Sequence, residues 1–285
     1  MAEIFYILVT MKKFLFLLLI AALAGCASSA RKKCGISRIP MLEAADDGMK
    51  ISAARQLGAC GGAAAMEPLS ALLGSGSEPV RDAAVNAIAS IGGDSAAEPL
   101  STALRQDKAG SVRLAAAQGL AQYQDGRAER ALVRALVFDP RQDVRAEAAA
   151  ALESCCAAKQ YPVVYTGTDD WGDPGILVEV AGPPGELATT AAGALAFALF
   201  NDPSYLVRTA CARALSRSET QGAQAALVQA LGSDNSARVR SEAAAALGNM
   251  GDMDAEPALI AAQNDTDQQV RDSASLALAN LTERF

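Results

Sequence analysis

The chain lacks histidine, although it contains 285 residues. Histidine is the commonest general base in enzymes and the commonest metal ligand in proteins, so catalytic triads built on histidine and histidine metal sites are excluded. Aromatic residues make up only 5% of the chain, with Trp171 as the single tryptophan. No glycine-rich phosphate loop follows a strand-like run either. We therefore predict no catalytic residue, no metal site and no cofactor.

Basic residues are also scarce where a nucleic-acid surface would need them. The net charge of the chain is −7, and six of its 25 basic residues lie within the first 38 positions. The remainder of the chain is close to −12. Without a basic stripe to neutralise phosphates, nucleic acid is not an expected partner.

What the chain does have is a short unit that recurs along it. A Val-Arg dipeptide opens a predicted helix at spacings of 32, 32, 63, 32 and 31 residues. An earlier copy begins at Met49, because Glu67-Pro68-Leu69 matches Glu98-Pro99-Leu100. Seven units result, of which the fourth carries an insertion and the seventh contains one helix. The six valines are Val80, Val112, Val144, Val207, Val239 and Val270.

Each unit predicts two helices. In the second unit, apolar residues at Val80, Ala84, Ala87, Ile88 and Ile91 share one helical face. Gly92, Gly93 and Asp94 then break this helix. Glu98 and Pro99 suit the first turn of the next helix, whose buried side carries Leu100, Ala103 and Leu104. One pair of helices cannot bury both apolar faces alone, so we predict an all-α fold in which neighbouring units stack into an α-solenoid.

The pattern V-R-x-x-A-A-x-A-L-x-x-x-G-D followed by A-x-E-P-L-x-x-A-L resembles HEAT repeats, in the short form also found in phycobilin-lyase-like proteins. The resemblance covers about residues 49–285 and implies a rod of about seven helical hairpins. It implies little about function, because one fold supports many functions.

Charged residues recur in phase with these units. In five units an Asp lies five positions before the Val, and in six an Arg follows the Val directly. Each Asp ends a second helix and each Arg begins a first helix, so the turns are expected to form an alternating charge ladder similar to that of the HEAT family. We interpret the ladder as structural rather than as a ligand site. Its residues are Asp107, Asp139, Asp202, Asp234, Asp265, Arg81, Arg113, Arg145, Arg208, Arg240 and Arg271.

The N-terminal residues resemble a bacterial lipoprotein signal. Residues 1–10 carry no signal of their own and are interpreted as an upstream extension or a misassigned start. Residues 11–25 contain Lys12 and Lys13, an apolar run, and a small-residue site before Cys26. The resemblance implies cleavage before Cys26 and acylation of that cysteine. A membrane-spanning anchor is disfavoured, because the apolar run is too short to cross a bilayer.

The same resemblance implies a location. Ala27 follows the cysteine, which implies the outer membrane, with the protein facing the periplasm. Residues 26–48 form a basic tether that leads into an N-terminal cap. This tether either lies against anionic head groups or is a solvated linker.

Export would permit disulfide bonds, and five cysteines remain besides Cys26. Five is an odd number, so at least one thiol is free or pairs between chains. Cys60, Cys155 and Cys211 occupy positions where we expect core packing. Cys34 precedes the first unit and could instead form a disulfide with Cys60. The pairing, including that of Cys156, stays open.

The fourth unit contains an insertion over residues 157–185 that has no helical period. Two short β-branched runs, 161–165 and 176–180, flank a turn rich in Gly, Asp and Pro, which predicts a β-hairpin. Aromatic residues on a loop of a rigid scaffold often form binding sites. The alternative is that the hairpin simply covers the repeat edge. The candidate partner-binding residues are Trp171, Tyr161, Tyr165, Asp169, Asp170 and Asp173.

These features favour a lipid-anchored scaffold of the cell envelope that binds another protein and has no catalytic activity. Two alternatives remain open. The resemblance to lyase-like repeats implies a small-ligand or tetrapyrrole-binding or lyase-like module, and the regular repeats alone are consistent with a purely structural lipoprotein.

Overall fold

The computed structural model describes residues 37–123, 126–156, 191–218 and 220–283. Within these ranges the chain forms thirteen α-helices and four short 3₁₀ turns, and no strand is present. The helices are α1 Asp47–Cys60, α2 Met66–Ala71, α3 Glu78–Ile91, α4 Ala97–Gln106, α5 Gly110–Leu120, α6 Gly126–Phe138, α7 Gln142–Cys156, α8 Ala191–Asn201, α9 Tyr205–Leu215, α10 Gln221–Ser233, α11 Ala237–Met250, α12 Glu256–Ala262 and α13 Gln268–Glu283.

The chain divides into two compact units, Met1–Ala96 and Ala97–Phe285. In the described part of the first unit, α1 and α2 both pack against α3, and a 3₁₀ turn over Ile39–Glu43 packs against α1. Leu42, Leu57 and Leu69 lie in the core of this unit.

The second unit is built from two layers of helices. The first layer contains α5, α7, α9, α11 and α13, and each of these helices contacts the next one in the layer. The second layer contains α4, α6, α8, α10 and α12, which also contact their neighbours within the layer. Each of them contacts the helix that follows it in the chain as well. This packing confirms the predicted all-α solenoid architecture for the described part of the unit.

The repeat valine is the fixed point of the core. This valine is completely buried in all six repeats that contain it. In α3, Ala84, Ala87 and Ile88 are also buried, as the periodicity predicts, whereas Ile91 at the helix end is only half-buried. The fully buried valines are Val80, Val112, Val144, Val207, Val239 and Val270.

Glycine ends two of these helices. Gly92 and Gly93, directly after α3, have φ angles of 66° and 80°, and Gly251 after α11 has a φ of 74°. Positive φ values are costly for residues with a Cβ atom, so glycine is the residue that lets the chain reverse here. The predicted helix break at Gly92-Gly93 is therefore present.

Glycine allows two pairs of neighbouring helices to approach each other closely. A Cβ atom on Gly248 of α11 would lie 2.7 Å from both Cα and Cβ of Ala277 on α13. In the first unit, a Cβ atom on Gly58 of α1 would lie 2.8 Å from Cα of Ala87 on α3. The closeness of each helix pair therefore depends on a glycine at the same repeat position.

Several predictions fall outside the described residues. The signal and most of the tether lie within residues 1–36, and the insertion with its predicted β-hairpin lies within residues 157–190. On either side of the latter, α7 ends at Cys156 and α8 begins at Ala191. Within the described ranges, no helix combines the length and apolar character needed to cross a membrane.

Two Gly→Ala variants test the close approach of α11 and α13. We expect Gly248→Ala to lower the free energy of unfolding by about 1–3 kcal/mol, because the new methyl group overlaps Ala277. Gly232→Ala in α10 is the control, since its Cβ would meet nothing within 4 Å. That variant should be neutral or gain up to about 1 kcal/mol from lower chain entropy. Urea denaturation measures both, and equal effects would contradict the packing account.

Candidate functional site

The aspartates of the predicted ladder first shape their own turns. Each one accepts a hydrogen bond from the backbone N–H two residues later, an arrangement that Asp side chains favour in turns. Because the carboxylate closes the turn that joins two helices, it also sets where the next helix begins. The N–H donors and their distances to Oδ1 are Ala109 to Asp107 (2.8 Å), Arg141 to Asp139 (2.9 Å), Ser204 to Asp202 (2.8 Å), Ser236 to Asp234 (2.8 Å) and Asp267 to Asp265 (2.8 Å).

Each ladder arginine of the second compact unit, Ala97–Phe285, also binds the turn that precedes its own helix. Its Nη1 donates to the backbone carbonyl of the Asp six residues earlier, which ties the start of the first-layer helix to the turn before it. The carbonyl distances are 2.9 Å for Arg113 to Asp107, 2.9 Å for Arg145 to Asp139, 2.9 Å for Arg208 to Asp202, 2.8 Å for Arg240 to Asp234 and 2.6 Å for Arg271 to Asp265.

Four of these arginines reach forward as well. Nε and Nη2 donate in parallel to the two carboxylate oxygens of the Asp in the next turn, the bidentate geometry in which a guanidinium binds most strongly. The Nε distances are 2.6 Å for Arg113 to Asp139, 2.6 Å for Arg145 to Asp202, 2.8 Å for Arg208 to Asp234 and 2.7 Å for Arg240 to Asp265.

The insertion does not interrupt this series. Arg113 and Asp139 are 26 positions apart, whereas Arg145 and Asp202 are 57 positions apart, yet both pairs have the same bidentate geometry. The side chains of Arg145 and Asp202 are only 12% and 5% exposed. The helices on both sides of the insertion therefore keep the spacing of uninterrupted repeats.

The forward hydrogen bonds shift the pKa values of Asp265 and of four ladder arginines toward their charged forms. The hydrogen bond from Arg240 is the main cause that lowers the pKa of Asp265 from 3.8 to about 2. Hydrogen bonds to aspartate likewise raise the pKa of the four forward-reaching arginines. The carboxylate of Asp265 is thus ionised, and it accepts hydrogen bonds from Arg240 and from the backbone N–H of Asp267, which suits a structural role.

In the first compact unit, Met1–Ala96, the same turn carries a shorter side chain than aspartate. Ser75 stands at the aspartate position, and its hydroxyl accepts a hydrogen bond from the N–H of Ser77 at 3.2 Å. Nη1 of Arg81 donates to the Ser75 carbonyl at 2.9 Å and to the Gly76 carbonyl at 3.3 Å.

The second layer presents a surface on which the repeats differ from one another. Phe197 and Phe200 of α8 are half-buried, as is Val137 of the neighbouring α6. On α6, Arg130 and Arg134 are spaced to share one helical face. The equivalent positions of Phe197 and Phe200 in α10 carry Gln229 and Gly232, and those in α4 carry Thr102 and Arg105. We call the residues Arg130, Arg134, Val137, Phe197 and Phe200 the second-layer surface.

Glu129, which the sequence reasoning missed, links α6 to α8. It is buried, and burial is the main cause that raises its pKa. Its carboxylate accepts a hydrogen bond from the backbone N–H of Ala191, at the start of α8. Alignment of the repeats could have indicated that Glu129 is buried, because the equivalent residue in α4 is Ala97, which is buried.

The cysteine predictions have different outcomes. Cys211 is buried, as predicted; its thiol is free, and burial raises the pKa of that thiol. Core packing was the wrong interpretation for Cys60, which is half-buried and disulfide-bonded. Its partner is not among the described side chains, so the pairing with Cys34 stays a prediction.

The remaining predicted site residues lie outside the described residues. They are Cys26, Tyr161, Tyr165, Asp169, Asp170, Trp171 and Asp173. Among the described residues, no group of three or more Cys, Asp or Glu side chains is arranged to hold a metal ion.

Comparison with known families identifies repeats of the HEAT type. A family model described as HEAT repeats matches residues 37–121, 97–173 and 186–281. A comparison with curated protein sequences finds no match.

Several solved structures are similar at low identity. The Escherichia coli protein YibA is 18% identical, with 91% of this chain and 96% of that chain covered and a TM-score of 0.47. The CpcE–CpcF complex of phycocyanin lyase from Nostoc is 23% identical, with 87% and 86% covered and a TM-score of 0.40. Human deoxyhypusine hydroxylase is 22% identical, with 86% and 83% covered and a TM-score of 0.39. These likenesses say nothing about the activity of this chain.

Two arginines of α9 test the ladder. Arg208 and Asp234 are 10% and 8% exposed, whereas Arg213 and its partner Glu242 are 57% and 24% exposed. We expect Arg208→Ala to cost about 3–5 kcal/mol of unfolding free energy, because it leaves a buried carboxylate unpaired. Arg213→Ala should cost less than about 1 kcal/mol. Urea denaturation measures both, and similar losses would show that burial of the ladder does not matter.

Proposed function

This chain belongs to the HEAT-repeat family, and we propose that it is a non-catalytic scaffold that binds another protein at the bacterial cell envelope. In this proposal a lipid on Cys26 holds it to the outer membrane, and the repeat region faces the periplasm. The second-layer surface supplies the main contacts with the partner.

One observation carries the binding proposal. Phe197 and Phe200 lie in the second layer, at positions where the neighbouring repeats carry no aromatic residue. A core residue would be buried like Leu195 and Leu199 of the same helix, yet both phenylalanines remain partly exposed. Partly exposed aromatic side chains next to arginine are typical of the residues that dominate protein interfaces.

The shape of this surface also supports a protein partner. The positions beside the phenylalanines are small, with Gly193 and Ala196 on α8 and Ala225 and Gly232 on α10. A partner side chain can therefore approach the rings closely. The ladder fixes the first-layer helices, so little ordering of the scaffold is needed on binding, which favours affinity.

Other features support a scaffold over an enzyme. The chain has no histidine. Four of the ladder carboxylates, which would be the obvious acids and bases of a repeat region, are bound by arginine and by backbone N–H groups; they are those of Asp139, Asp202, Asp234 and Asp265.

The anchor is supported by the order of Lys12, Lys13, the apolar run and Cys26. The disulfide at Cys60 is in keeping with an oxidising compartment such as the periplasm. Trp171 and the neighbouring residues of the predicted hairpin complete the proposal as a second contact with the partner.

Site-specific photocrosslinking in the native envelope tests the binding proposal. A photoreactive residue at position 197 should form a covalent product with one partner, and Phe200→Ala should reduce its yield by about tenfold or more, as expected for loss of about 1.4 kcal/mol or more at an interface centre. Position 171 should give the same partner if the hairpin contributes.

Leu276 on α13 is the matched control, since it is apolar and 65% exposed but lies in the other layer. A photoreactive residue there should give no product, and Leu276→Ala should leave the yield at position 197 unchanged. If positions 197 and 276 behave alike, or if Phe200→Ala has no effect, the second-layer surface does not bind the partner.

A further inference from the structure

A second apolar surface lies at the turns of the second unit, on the edge formed by the ladder. Phe138, Tyr205 and Leu206 are 57%, 46% and 44% exposed. Phe138 is the last residue of α6, and Tyr205 and Leu206 are the first two of α9. We call these three residues the turn-edge patch.

The ladder places these residues near each other although they are far apart in sequence. Nη1 of Arg145 donates to the carbonyls of Asp139 and Pro140 at 2.9 and 3.3 Å, while Nε of the same guanidinium donates to Asp202 at 2.6 Å. One side chain therefore spans both turns. Phe138 directly precedes the first turn, and Tyr205 follows the second, so the patch extends over two neighbouring turns.

The patch departs from the repeat at each of its positions. The core does not require these residues, because other units place small or polar residues there. Equivalent positions carry Gln106, Asn201 and Ser233 for Phe138, Gly110, Gln142 and Ala237 for Tyr205, and Ser111, Asp143 and Arg238 for Leu206.

The charge at this edge is opposite to that of the whole chain. Asp139, Asp202 and Asp234 face arginine, so their negative charge is neutralised within the ladder. The exposed charges on the turns before and after the patch are Lys108 and Arg238. The exposed Asp143 pairs with Arg141. In a chain of net charge −7, this edge thus combines apolar side chains with a cationic rim.

We propose that the turn-edge patch docks on an anionic lipid surface. Phenylalanine, tyrosine and leucine suit the boundary between acyl chains and head groups, and lysine and arginine beside them attract anionic lipids. The inference rests on the proposed envelope location, in which the anchored protein is already next to a membrane. Docking would hold the repeats in one orientation, with the turns toward the lipid and other surfaces available to the partner.

Tryptophan fluorescence tests the docking edge. The full chain carries Trp171→Phe together with either Tyr205→Trp at the patch or Gln118→Trp at an exposed position near the end of α5 that is far from the ladder turns. Each protein is reconstituted into vesicles of phosphatidylcholine and phosphatidylglycerol, with or without bromine on the phosphatidylcholine acyl chains. Bromine quenches only a tryptophan that enters the lipid.

We expect the Tyr205→Trp protein to lose a large share of its tryptophan emission in brominated vesicles, and the Gln118→Trp protein to lose almost none. Adding Leu206→Asp should abolish the loss, and high salt should reduce it, because salt screens Lys108 and Arg238. Unchanged circular dichroism melting would show that Leu206→Asp, a change at an exposed side chain, leaves the fold intact.

Two results would overturn the inference while leaving the scaffold proposal in place. One is co-flotation of both proteins with vesicles and no quenching of either tryptophan. The other is a photocrosslink from position 205 to a second copy or to another protein in place of quenching. The mass of the N-terminal peptide reports separately whether Cys26 is acylated, so a wrong anchor and a wrong docking edge are distinguishable.

Discussion

The guanidinium of a ladder arginine holds two successive turns at once, and the arrangement of the second unit depends on this contact. Nη1 fixes the turn that precedes the helix, while Nε and Nη2 grip the carboxylate of the next turn. A buried ion pair adds little net stability, because desolvation of the charges offsets most of their attraction. Its directional geometry instead favours one stacking register over others. The apolar layers, rich in alanine and leucine, would tolerate several registers without it.

Because the ladder and the apolar core together determine the fold, binding surfaces are expected at positions that neither of them uses. The core valine, alanine and leucine residues and the ladder residues stabilise the fold, and they are nearly constant from repeat to repeat. Positions that the fold leaves unconstrained are the ones that vary, and two groups of them carry large apolar side chains on the surface. Phe197 and Phe200 lie on the second layer, and Phe138, Tyr205 and Leu206 lie on the turns. A scaffold fixed by its ladder can present both surfaces in a constant relation within the unit.

The architecture is predictable from the sequence because its signals are local and repeated. The Val-Arg period predicts the helices, and Gly92-Gly93 predicts a break between them. The partner of each arginine was beyond reach, since the period places Asp and Arg in phase but does not say that one guanidinium serves two turns. Only the fold shows that Arg145 contacts Asp202 across the insertion. The turn-edge patch was missed for the same reason, because Phe138 and Tyr205 come onto neighbouring turns only when the repeats stack. Glu129 was missed and Cys60 was assigned to the core wrongly, because the common pattern of the repeats does not show where a single repeat departs from it.

A double-mutant cycle on Arg145 and Asp202 tests the central claim most directly, since this pair joins the helices on the two sides of the insertion. The free energies of unfolding of Arg145→Ala, Asp202→Ala, the double variant and the unaltered protein give the coupling between the side chains. The ladder account predicts a favourable coupling of about 1 kcal/mol or more. A coupling near zero, with each variant destabilising independently, would contradict it.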